Sequence, residues 1–445
     1  MNINNVREFG ATGNGINKDT AAIQKAIDAG GMVYFPPGTY LCGTIYLKSN
    51  GGLELAPGAV LLASPDKEDY NADDYVPQNQ AYPDDQVSAA HLISAVECEN
   101  VVIRGGGKID GSARTWLNQV SWVMGREGYI YPPWRPGQLL YFCESSNITF
   151  QDVEIADAPY WALLFHGCEY IFIRNIRIIN DLLGHNGDGI AIDCCRFVNI
   201  SDCQIEGSDD CITLRGRAGL LKKKRDCEYV TVSNCILKTL ESAIRIGVGD
   251  NSCRVRHAVF SNIMIRGAYT GVCICSNWKA WAESPSVEDI NCHDFSIEAD
   301  RPFSIANYTC LSPSAKNIPR PGYIRQIQLR NWNGKATQTA NILANGGGKI
   351  SSIDLQNIDI ELHGENKNAA TPGARSCHDG EPLLPAGVYI SGAEKIKISD
   401  LRCSKAENAG IWNEILRAEE CSNMHIDNQQ VEKNITLFIK KGEKI

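Results

Sequence analysis

The sequence predicts an all-β protein, built as a right-handed parallel β-helix with a short N-terminal capping helix. Three observations predict this fold: a repeat of paired short strands runs through most of the chain, an Asn or Asp often marks the bend within a repeat, and no helix-like pattern of useful length separates the repeats. Units of this kind cannot bury their apolar face alone and must stack. Stacked coils pair through parallel strands, and Asn and Asp suit the tight bends between them.

The repeats are rich in β-branched residues. The clearest copies are NVVIRGGGKIDG (100–111), NITFQDVEIADA (147–158), YIFIRNIRIIND (170–181), FVNISDCQIEGS (197–208), YVTVSNCILKTL (229–240) and HAVFSNIMIRGA (257–268). From Asn147 their starts lie 23, 27, 32 and 28 residues apart, and further copies follow residue 287. We therefore expect one domain over 1–445, with the cap and first coils in 1–65, the main coils in 95–360, and C-terminal coils and loops in 361–445.

The capping helix is predicted by the stretch DTAAIQKAIDAG near the N-terminus. Asp19 or Thr20 would cap its start and Gly30 would end it. One face would carry the apolar side chains of Ala22, Ile23, Ala26 and Ile27. Such a helix would cover the open end of the first coil.

Two polar or proline-broken stretches, 65–90 and 112–137, predict long surface loops. The second stretch carries the aromatic residues Trp116, Trp122, Tyr129, Tyr131 and Trp134. Exposed aromatic rings can serve as platforms for sugar rings, whereas packing on the body of the fold is the alternative. The sequence leaves both interpretations open.

Composition excludes several classes of partner. The 445 residues carry a net charge of −9 with no basic patch interleaved with aromatic residues, which argues against nucleic acid. No apolar run approaches ~18 residues, so we expect no transmembrane helix and no membrane partner. The first residues, MNINNVREFGATGNG, show no signal-peptide pattern. We expect a cytoplasmic protein, although a chain from which a leader had been removed would look the same.

The 18 cysteines favour burial over metal binding. They lie in or beside strand-like runs, and no C-x-x-C pair occurs. A zinc site is therefore poorly supported, and we expect no metal and no cofactor. Free cysteines behave as small apolar residues and are typical of a reducing compartment.

Acidic residues cluster in the stretch 185–216, HNGDGIAIDCCRFVNISDCQIEGSDDCITLRG. Asp188 and the pair Asp209–Asp210 are 21 residues apart, separated by one strand–turn–strand unit. On neighbouring coils they would face each other at roughly the strand spacing of ~4.8 Å or one row further. Paired carboxylates on a rigid sheet suit general acid–base cleavage of a glycosidic bond. A ladder of turn-forming aspartates is the alternative.

This pattern resembles a known family. The opening FGATGNGINKDTAAIQKAIDAGGMVYFPPGTY, the GGGKIDG unit, the PYWALLFHGCEY unit and the NGDG…GSDDCITLRG core resemble glycoside hydrolase family 28, the polygalacturonases and rhamnogalacturonases. The resemblance spans roughly residues 5–280. It implies the pectin-lyase-like right-handed β-helix and hydrolysis of pectic α-linkages with inversion of configuration.

The resemblance also implies a role for each aspartate. The family's N-T-D motif is matched by Asn186, Gly187 and Asp188, with Gly in place of Thr, and its D-D pair by Asp209 and Asp210. Asp209 would be the general acid, while Asp188 and Asp210 would hold and deprotonate the attacking water. Inverting enzymes need carboxyl groups ~6.5–9.5 Å apart, and crowding of three carboxylates raises the pKa of one of them.

Two departures concern the substrate. Ser242, in ESAIRIG, stands where polygalacturonases have the His of G-H-G, and Cys273 and Cys275, in GVCIC, stand where they have the Arg and Lys of R-I-K. That Arg and Lys grip a uronate carboxylate, which a bidentate guanidinium suits. We therefore expect a non-uronate sugar, such as rhamnose, at the cleavage position. Glu241 would match an acidic residue of rhamnogalacturonan-type members; a solvated Glu at a strand start is the alternative.

Weaker candidates surround this core. Arg215 matches a family Lys, and Arg245 would replace the missing positive charge; for both, a stacked and paired surface Arg is the alternative. His185 and His166 would orient substrate or be turn histidines without a catalytic part. Trp278, with Trp281 in SNWKAWAES, would stack on a sugar ring or pack in the core. Lys222–Lys224 suggest a solvated loop more than a binding patch.

The sequence thus predicts a metal-independent glycoside hydrolase that trims α-linked pectin-derived or related oligosaccharides by exo-action. One alternative is a polysaccharide lyase on the same fold, which would need Ca²⁺ and a basic residue to remove the proton α to a uronate. A non-catalytic glycan-binding β-helix is the other. The oligomeric state is left open.

Overall fold

A computed structural model describes residues 2–72, 75–79, 86–123, 126–130, 132–249, 253–276, 285–307, 322–344, 348–364, 384–407, 409–410, 412–431 and 435–438. Its internal contacts divide the chain into a first unit, Met1–Ile212 with Ala218–Arg225, and a second unit, Thr213–Arg217 with Asp226–Ile445. The expectation of one domain over the whole chain stays a prediction.

The first unit is made almost entirely of short strands. They are β1 (Ile3–Asn5), β2 (Asn14–Lys18), β3 (Met32–Phe35), β4 (Gly38–Cys42), β5 (Ile45–Tyr46), β6 (Gly51–Leu55), β7 (Ala59–Ala63), β8 (Ile93–Val96), β9 (Glu99–Arg104), β10 (Lys108–Asp110), β11 (Val120–Val123), β12 (Arg126–Tyr129), β13 (Leu140–Cys143), β14 (Ser146–Gln151), β15 (Glu154–Ala156), β16 (Leu163–His166), β17 (Glu169–Arg174), β18 (Arg177–Ile179), β19 (Ile190–Asp193), β20 (Arg196–Ser201) and β21 (Gln204–Gly207). Short 3₁₀ turns lie at Val6–Phe9, Lys67–Asp69, Ala113–Thr115 and Ala218–Leu220. β22 (Ile212–Gly216) contains the division between the units.

Apart from the antiparallel hairpin β11–β12, these strands form three parallel stacks. The stacks are β1–β3–β6–β9–β14–β17–β20, β2–β4–β7–β10–β15–β18–β21 and β5–β8–β13–β16–β19. Successive coils such as β14–β15–β16 and β17–β18–β19 give one strand to each stack. The register repeats from coil to coil, with Ile148 opposite Ile171 and Ile171 opposite Val198. This arrangement is a parallel β-helix, as the sequence predicts.

The second unit is also built of stacked parallel strands, and many of its strands are longer. They are β23 (Cys227–Thr239), β24 (Ser242–Gly249), β25 (Arg254–Arg266), β26 (Thr270–Cys275), β27 (Ser286–Glu298), β28 (Arg301–Ala306), β29 (Tyr323–Ala336), β30 (Ala340–Leu343), β31 (Lys349–Leu362), β32 (Ala386–Ser391), β33 (Glu394–Lys405), β34 (Glu414–Glu419), β35 (His425–Ile426), β36 (Gln429–Gln430) and β37 (Ile435–Phe438). Odd-numbered strands from β23 to β35 form one parallel stack, and even-numbered strands from β24 to β34 form another. β36 and β37 close these stacks as antiparallel partners of β35 and β34.

The polar bends of the repeat are confirmed. Asp152, Asn175 and Asp202 separate the paired strands of the first unit, with φ of 58°, 51° and 58°. Asn and Asp tolerate this left-handed region better than other residues that carry a Cβ. Their side chains also join coils, because Asn175 Nδ2 donates to Asp152 Oδ1 at 2.7 Å. In the second unit Asn262 donates in the same way to Asn234 at 2.8 Å.

Each coil turns its apolar side chains inward. Phe142, Phe150 and Phe165 meet in the first unit with ring centroids 5.2–5.7 Å apart, and all three are fully buried. All sixteen cysteines among the described residues are buried and form no disulfide. They fill space between coils as small apolar residues, as expected.

The capping helix is α1 (Thr20–Asp28), the one α-helix among the described residues. Ile23, Ala26 and Ile27 are buried on its inner face. Asp19 precedes the helix, but its carboxylate accepts from the backbone N–H groups of Thr12 and Gly13 at 2.7 and 3.0 Å and makes no side-chain cap bond to the helix. No helix in the described part of the chain is long and apolar enough to cross a membrane.

The predicted loops are partly structured and pack on the first unit. Trp116 and Trp134 lie edge to face with centroids 4.9 Å apart, and Tyr70 contacts both rings. Tyr129 is buried and donates to Asp181 at 2.7 Å, whereas Trp122 is 71% exposed. Packing on the fold is therefore the observed arrangement for most of these rings; Tyr131 lies outside the described residues.

Candidate active site

The backbone places Asp188 and Asp210 at equivalent positions of neighbouring coils. Each lies two residues before the first residue of a strand, Ile190 of β19 and Ile212 of β22. Gly189 N donates to Asp210 O at 3.0 Å and Ile190 N to Cys211 O at 2.9 Å. The strand pairing therefore continues into both turns and stacks Asp188 on Asp210, which places the two acidic clusters on neighbouring coils as the sequence predicts.

The three aspartates form one carboxylate cluster. One oxygen of each of Asp188, Asp209 and Asp210 lies within 4.8 Å of those of the other two. Asp188 and Asp210 are each 3% exposed, while Asp209 is half-buried. Asp209 Oδ1 also accepts from Asp210 N at 2.9 Å, which orients the most accessible carboxylate of the cluster.

The separation of the carboxyl groups is compatible with both known arrangements. Inverting enzymes usually hold their carboxyl groups ~6.5–9.5 Å apart and retaining enzymes ~5–5.5 Å apart. The value of 4.8 Å is the upper limit on the distances between one oxygen of each residue, and two carboxyl carbons can lie up to roughly 2.5 Å further apart because each C–O bond adds about 1.2 Å. The cluster therefore has the right residues for acid–base cleavage, while its spacing spans the boundary between the two mechanisms.

Ser208 explains why glycine replaces the family's threonine at position 187. Gly187 N donates to Ser208 Oγ at 3.1 Å, and Asn180 Nδ2 donates to Gly187 O at 3.3 Å. A Cβ on Gly187 would lie 2.4 Å from Ser208 Oγ. The buried serine thus holds the turn before Asp188 and occupies the space that a side chain at position 187 would need.

His185 lies beside the cluster in sequence, and its ring packs against the β11–β12 hairpin. It is 3% exposed, and a Cβ on Gly128 would lie 2.8 Å from its Cε1. Its carbonyl oxygen accepts from Arg135 Nη1 at 3.0 Å. The residue therefore has a clear packing role, and its predicted contact with substrate stays a prediction.

His166 is not a turn residue, because it ends strand β16. It is opposite Cys143 on one side and Asp193 on the other, and His166 and Asp193 are both 4% exposed. This buried His–Asp pair of neighbouring strands was missed from the sequence. The spacing gives no indication of it, because the two residues become neighbours only through the coil register.

The remaining predicted binding residues belong to the second unit. Arg215, Glu241 and Arg245 are 9%, 4% and 5% exposed. The solvated interpretation of Glu241 and the surface interpretation of both arginines are therefore wrong. The Glu241 carbonyl oxygen accepts from Tyr269 N and Thr270 N at 3.0 and 3.1 Å, which fixes the backbone before β24.

The positions of the missing R-I-K motif are apolar. Cys273 and Cys275 are 0% and 1% exposed and form a cluster with Val248. Cys273 also pairs in register with Arg245 on the neighbouring strand β24. Trp278, with Trp281, lies outside the described residues, so its role stays a prediction.

Fold and site together define a class of protein: a parallel β-helix that carries a cluster of carboxylates just before the start of two neighbouring strands. The sequence profile of the Glycosyl hydrolases family 28 matches residues 76–377, and the chain belongs to this family. A second profile, Rhamnogalacturonase A/epimerase, pectate lyase-like, matches residues 3–53. The predicted family and the enzyme class of glycoside hydrolase are thereby confirmed.

Individual relatives agree with this assignment. A probable polygalacturonase of Vitis vinifera is 29% identical over 221 residues, which are 47% of this chain and 43% of the relative. An exopolygalacturonase of Zea mays is 21% identical over 392 residues, 81% of this chain and 84% of the relative. The match thus spans less than half the length of the Vitis vinifera relative.

A solved structure is similar over almost the whole chain. The family 28 exopolygalacturonase of Yersinia enterocolitica has a TM-score of 0.69 at 18% identity, covering 96% of this chain and 79% of the other. The right-handed parallel β-helix is therefore confirmed as the fold. The expected cytoplasmic location stays a prediction.

The Gly187–Ser208 contact gives a test of how the turn is held. We predict that Gly187→Ala lowers the free energy of unfolding by about 1–3 kcal/mol, because the new Cβ overlaps Ser208 Oγ. Ser208→Ala alone costs about 1 kcal/mol through the lost buried hydrogen bond. The double variant should lose less than the sum, as measured by urea unfolding; additive losses would show that the two positions do not compete for this space.

Proposed function

We propose that the protein hydrolyses O-glycosidic bonds of α-linked, pectin-derived or related oligosaccharides with inversion of configuration. The observation that carries the proposal is the cluster of Asp188, Asp209 and Asp210, with oxygens within 4.8 Å of one another on neighbouring coils. Membership of family 28 supports hydrolysis over lyase chemistry or pure glycan binding.

The roles follow from exposure and charge. Asp209 is the most accessible of the three, so it donates the proton to the leaving glycosidic oxygen. Asp188 and Asp210 hold a water and accept its proton as it attacks the anomeric carbon. The electrons of the broken C–O bond pass to the leaving oxygen, and one water is consumed.

A retaining mechanism is the second candidate, because carboxylate oxygens within 4.8 Å of one another also suit a carboxylate that attacks the sugar directly. The number of carboxyl groups in the cluster favours inversion. A retaining enzyme needs two carboxyl groups, whereas here two buried carboxylates accompany the acid and can hold a water between them.

We propose a non-uronate sugar, such as rhamnose, at the cleavage position. The support is the buried apolar cluster of Val248, Cys273 and Cys275 in the second unit. A uronate carboxylate needs hydrogen-bond donors or a cation, and thiols buried among apolar atoms supply neither well.

Exo-action is supported by a covered sheet face in the first unit. Tyr141, Leu164 and Ala191 alternate with the inward-facing core residues of β13, β16 and β19, and they are 1%, 5% and 0% exposed. The face that would continue a groove beyond the carboxylates is therefore closed on these coils. A chain end fits such a site better than the middle of a polymer.

The segment 218–225 packs beside these coils, against the turns that follow β8, β13 and β16. Leu221 lies against Gly167, and Lys223 N donates to Glu144 Oε1 at 3.0 Å. Arg225 pairs with Glu169 at 2.9 Å, and Lys222 forms an ion pair with Glu97. Glu144 also accepts from Gln78 at 2.6 Å, so Gln78 and Lys223, from two different segments, both donate to the Glu144 carboxylate.

The acid is tested by Asp209→Asn, which keeps the shape and removes the transferable proton. We expect kcat to fall by about 10²–10⁴, the usual contribution of a general acid. Asp202→Asn on the same coil is the matched control, because it is exposed and Asn175 occupies the equivalent bend. The control should keep full activity, and both variants should unfold at the wild-type temperature. Wild-type turnover by Asp209→Asn would assign the acid to another group.

The substrate is tested on oligosaccharides ending in α-linked rhamnose against oligogalacturonates of equal length. We expect kcat/KM for the oligogalacturonates to be about 10²-fold lower, because an unmatched carboxylate forfeits a charged hydrogen bond. Short products should appear from the first turnovers, and a chelator should leave the rate unchanged. Efficient cleavage of oligogalacturonate would refute the substrate proposal, and an unsaturated, Ca²⁺-dependent product would identify a lyase.

A further inference from the structure

Arg135 is a fully buried arginine that no sequence motif identifies. It lies in the proline-rich segment before β13 and is 0% exposed. Its backbone oxygen accepts from both the N–H and the hydroxyl of Ser88, at 3.1 and 2.9 Å. The residue is thus anchored to the first unit by its main chain, and its side chain extends from a fixed point.

The guanidinium joins two turns that precede neighbouring strands. Nη1 donates to Pro159 O at 2.8 Å and to His185 O at 3.0 Å, and Nη2 donates to Asn186 Oδ1 at 3.3 Å. The group also lies over the Tyr160 ring, 5.1 Å from its centroid. One side chain therefore holds the turn before β16 and the turn before β19 at the same time.

These two turns meet at the carboxylate cluster. Ala162 N, in the turn before β16, donates to Asp188 O at 2.9 Å. Asn186, held by Arg135, lies two residues before Asp188 and has a left-handed φ of 56°. Only Gly187 therefore separates the nearest acceptor of Arg135 from Asp188, and Gly187 is itself held by Ser208.

Arginine is suited to this task, and a shorter cation is not. Its planar guanidinium carries five donors in a fixed geometry, stays charged, and stacks on aromatic faces. Lysine has the charge but cannot reach two carbonyl groups and an amide in one plane. A buried charge is costly unless it is well bonded, so this arrangement strongly resists displacement of either turn.

We propose that Arg135 is a positioning residue that sets the placement of the Asp188 carboxylate by clamping the turn 185–187 to the turn 159–162. This inference rests on the proposed hydrolysis, because it assigns Arg135 a part in that reaction without contact with the sugar. Arg135 acts through Asn186 and His185, so its loss should reduce turnover more than substrate binding.

The test compares Arg135→Met with Arg135→Lys and with Ile109→Ala, a core truncation on β10 chosen to lower stability without touching either turn. We expect kcat of Arg135→Met to fall at least about 10²-fold with KM changed less than about threefold, since small misplacements of reacting groups have effects of this size. Arg135→Lys should recover part of kcat. Ile109→Ala should keep wild-type kcat below its unfolding temperature.

A second variant covers the case in which Arg135→Met does not fold. Asn186→Gly removes one acceptor, and glycine tolerates the left-handed φ at that position. It should lower kcat. In the double variant with Arg135→Lys, kcat should fall by less than the product of the two single reductions, because both substitutions act on one contact. Wild-type kcat in Asn186→Gly, or independent effects in the double variant, would overturn the proposal.

Hydrogen exchange separates this inference from the proposed reaction. Residues 180–189 should exchange faster in Arg135→Met and Asn186→Gly but not in Ile109→Ala, whether or not an active substrate has been found. Unchanged exchange there would overturn the clamp. Faster exchange in a protein whose wild type hydrolyses none of the glycosides would support the clamp and reject the hydrolase.

Discussion

The structure depends on the parallel hydrogen-bond ladder that locks each coil onto the next. In the first unit this ladder continues past the strands into the turns, where Ala162 N meets Asp188 O and Gly189 N meets Asp210 O. Because neighbouring strands sit about 4.8 Å apart, equivalent turn residues of adjacent coils are brought to the same spacing. Carboxylates that would repel each other in a flexible chain are therefore held together by the backbone.

Additional contacts fix the conformation of these turns. Strand pairing holds the backbone at Asp188, but a turn of several residues has conformational freedom that strand pairing does not remove. Ser208 fills the space above Gly187, and Arg135 ties His185 and Asn186 to the preceding coil. Acid–base catalysis is sensitive to such placement, so the site combines a rigid periodic frame with a few aperiodic buried side chains.

The proposals on reaction and on substrate rest on different parts of the chain. The carboxylate cluster, on which the proposed proton transfer rests, belongs to the first unit. The buried apolar cluster of Val248, Cys273 and Cys275, on which the proposed non-uronate sugar rests, belongs to the second unit. The two proposals can therefore fail independently of each other.

Most of the fold was predictable because it is periodic. The repeated strands, the Asn and Asp bends, the capping helix and the stacking of the two acidic clusters all follow from local patterns and from the repeat of paired strands. The features that could not be predicted depend on contacts between residues that are far apart in the sequence. Arg135 lies 50 residues from His185, the His166–Asp193 pairing depends on register, and burial of Glu241, Arg215 and Arg245 depends on packing that no local pattern encodes.

We propose that three clustered carboxylates cleave the glycosidic bond by activating water, and the configuration of the first product tests this proposal most directly. Hydrolysis of an α-linked oligosaccharide by the wild-type protein can be followed by NMR before the released sugar mutarotates. We predict that the β-anomer appears first. Initial release of the α-anomer would show that one carboxylate attacks the sugar itself, which oxygens within 4.8 Å of one another also allow, and would contradict the assignment of Asp188 and Asp210 to the water.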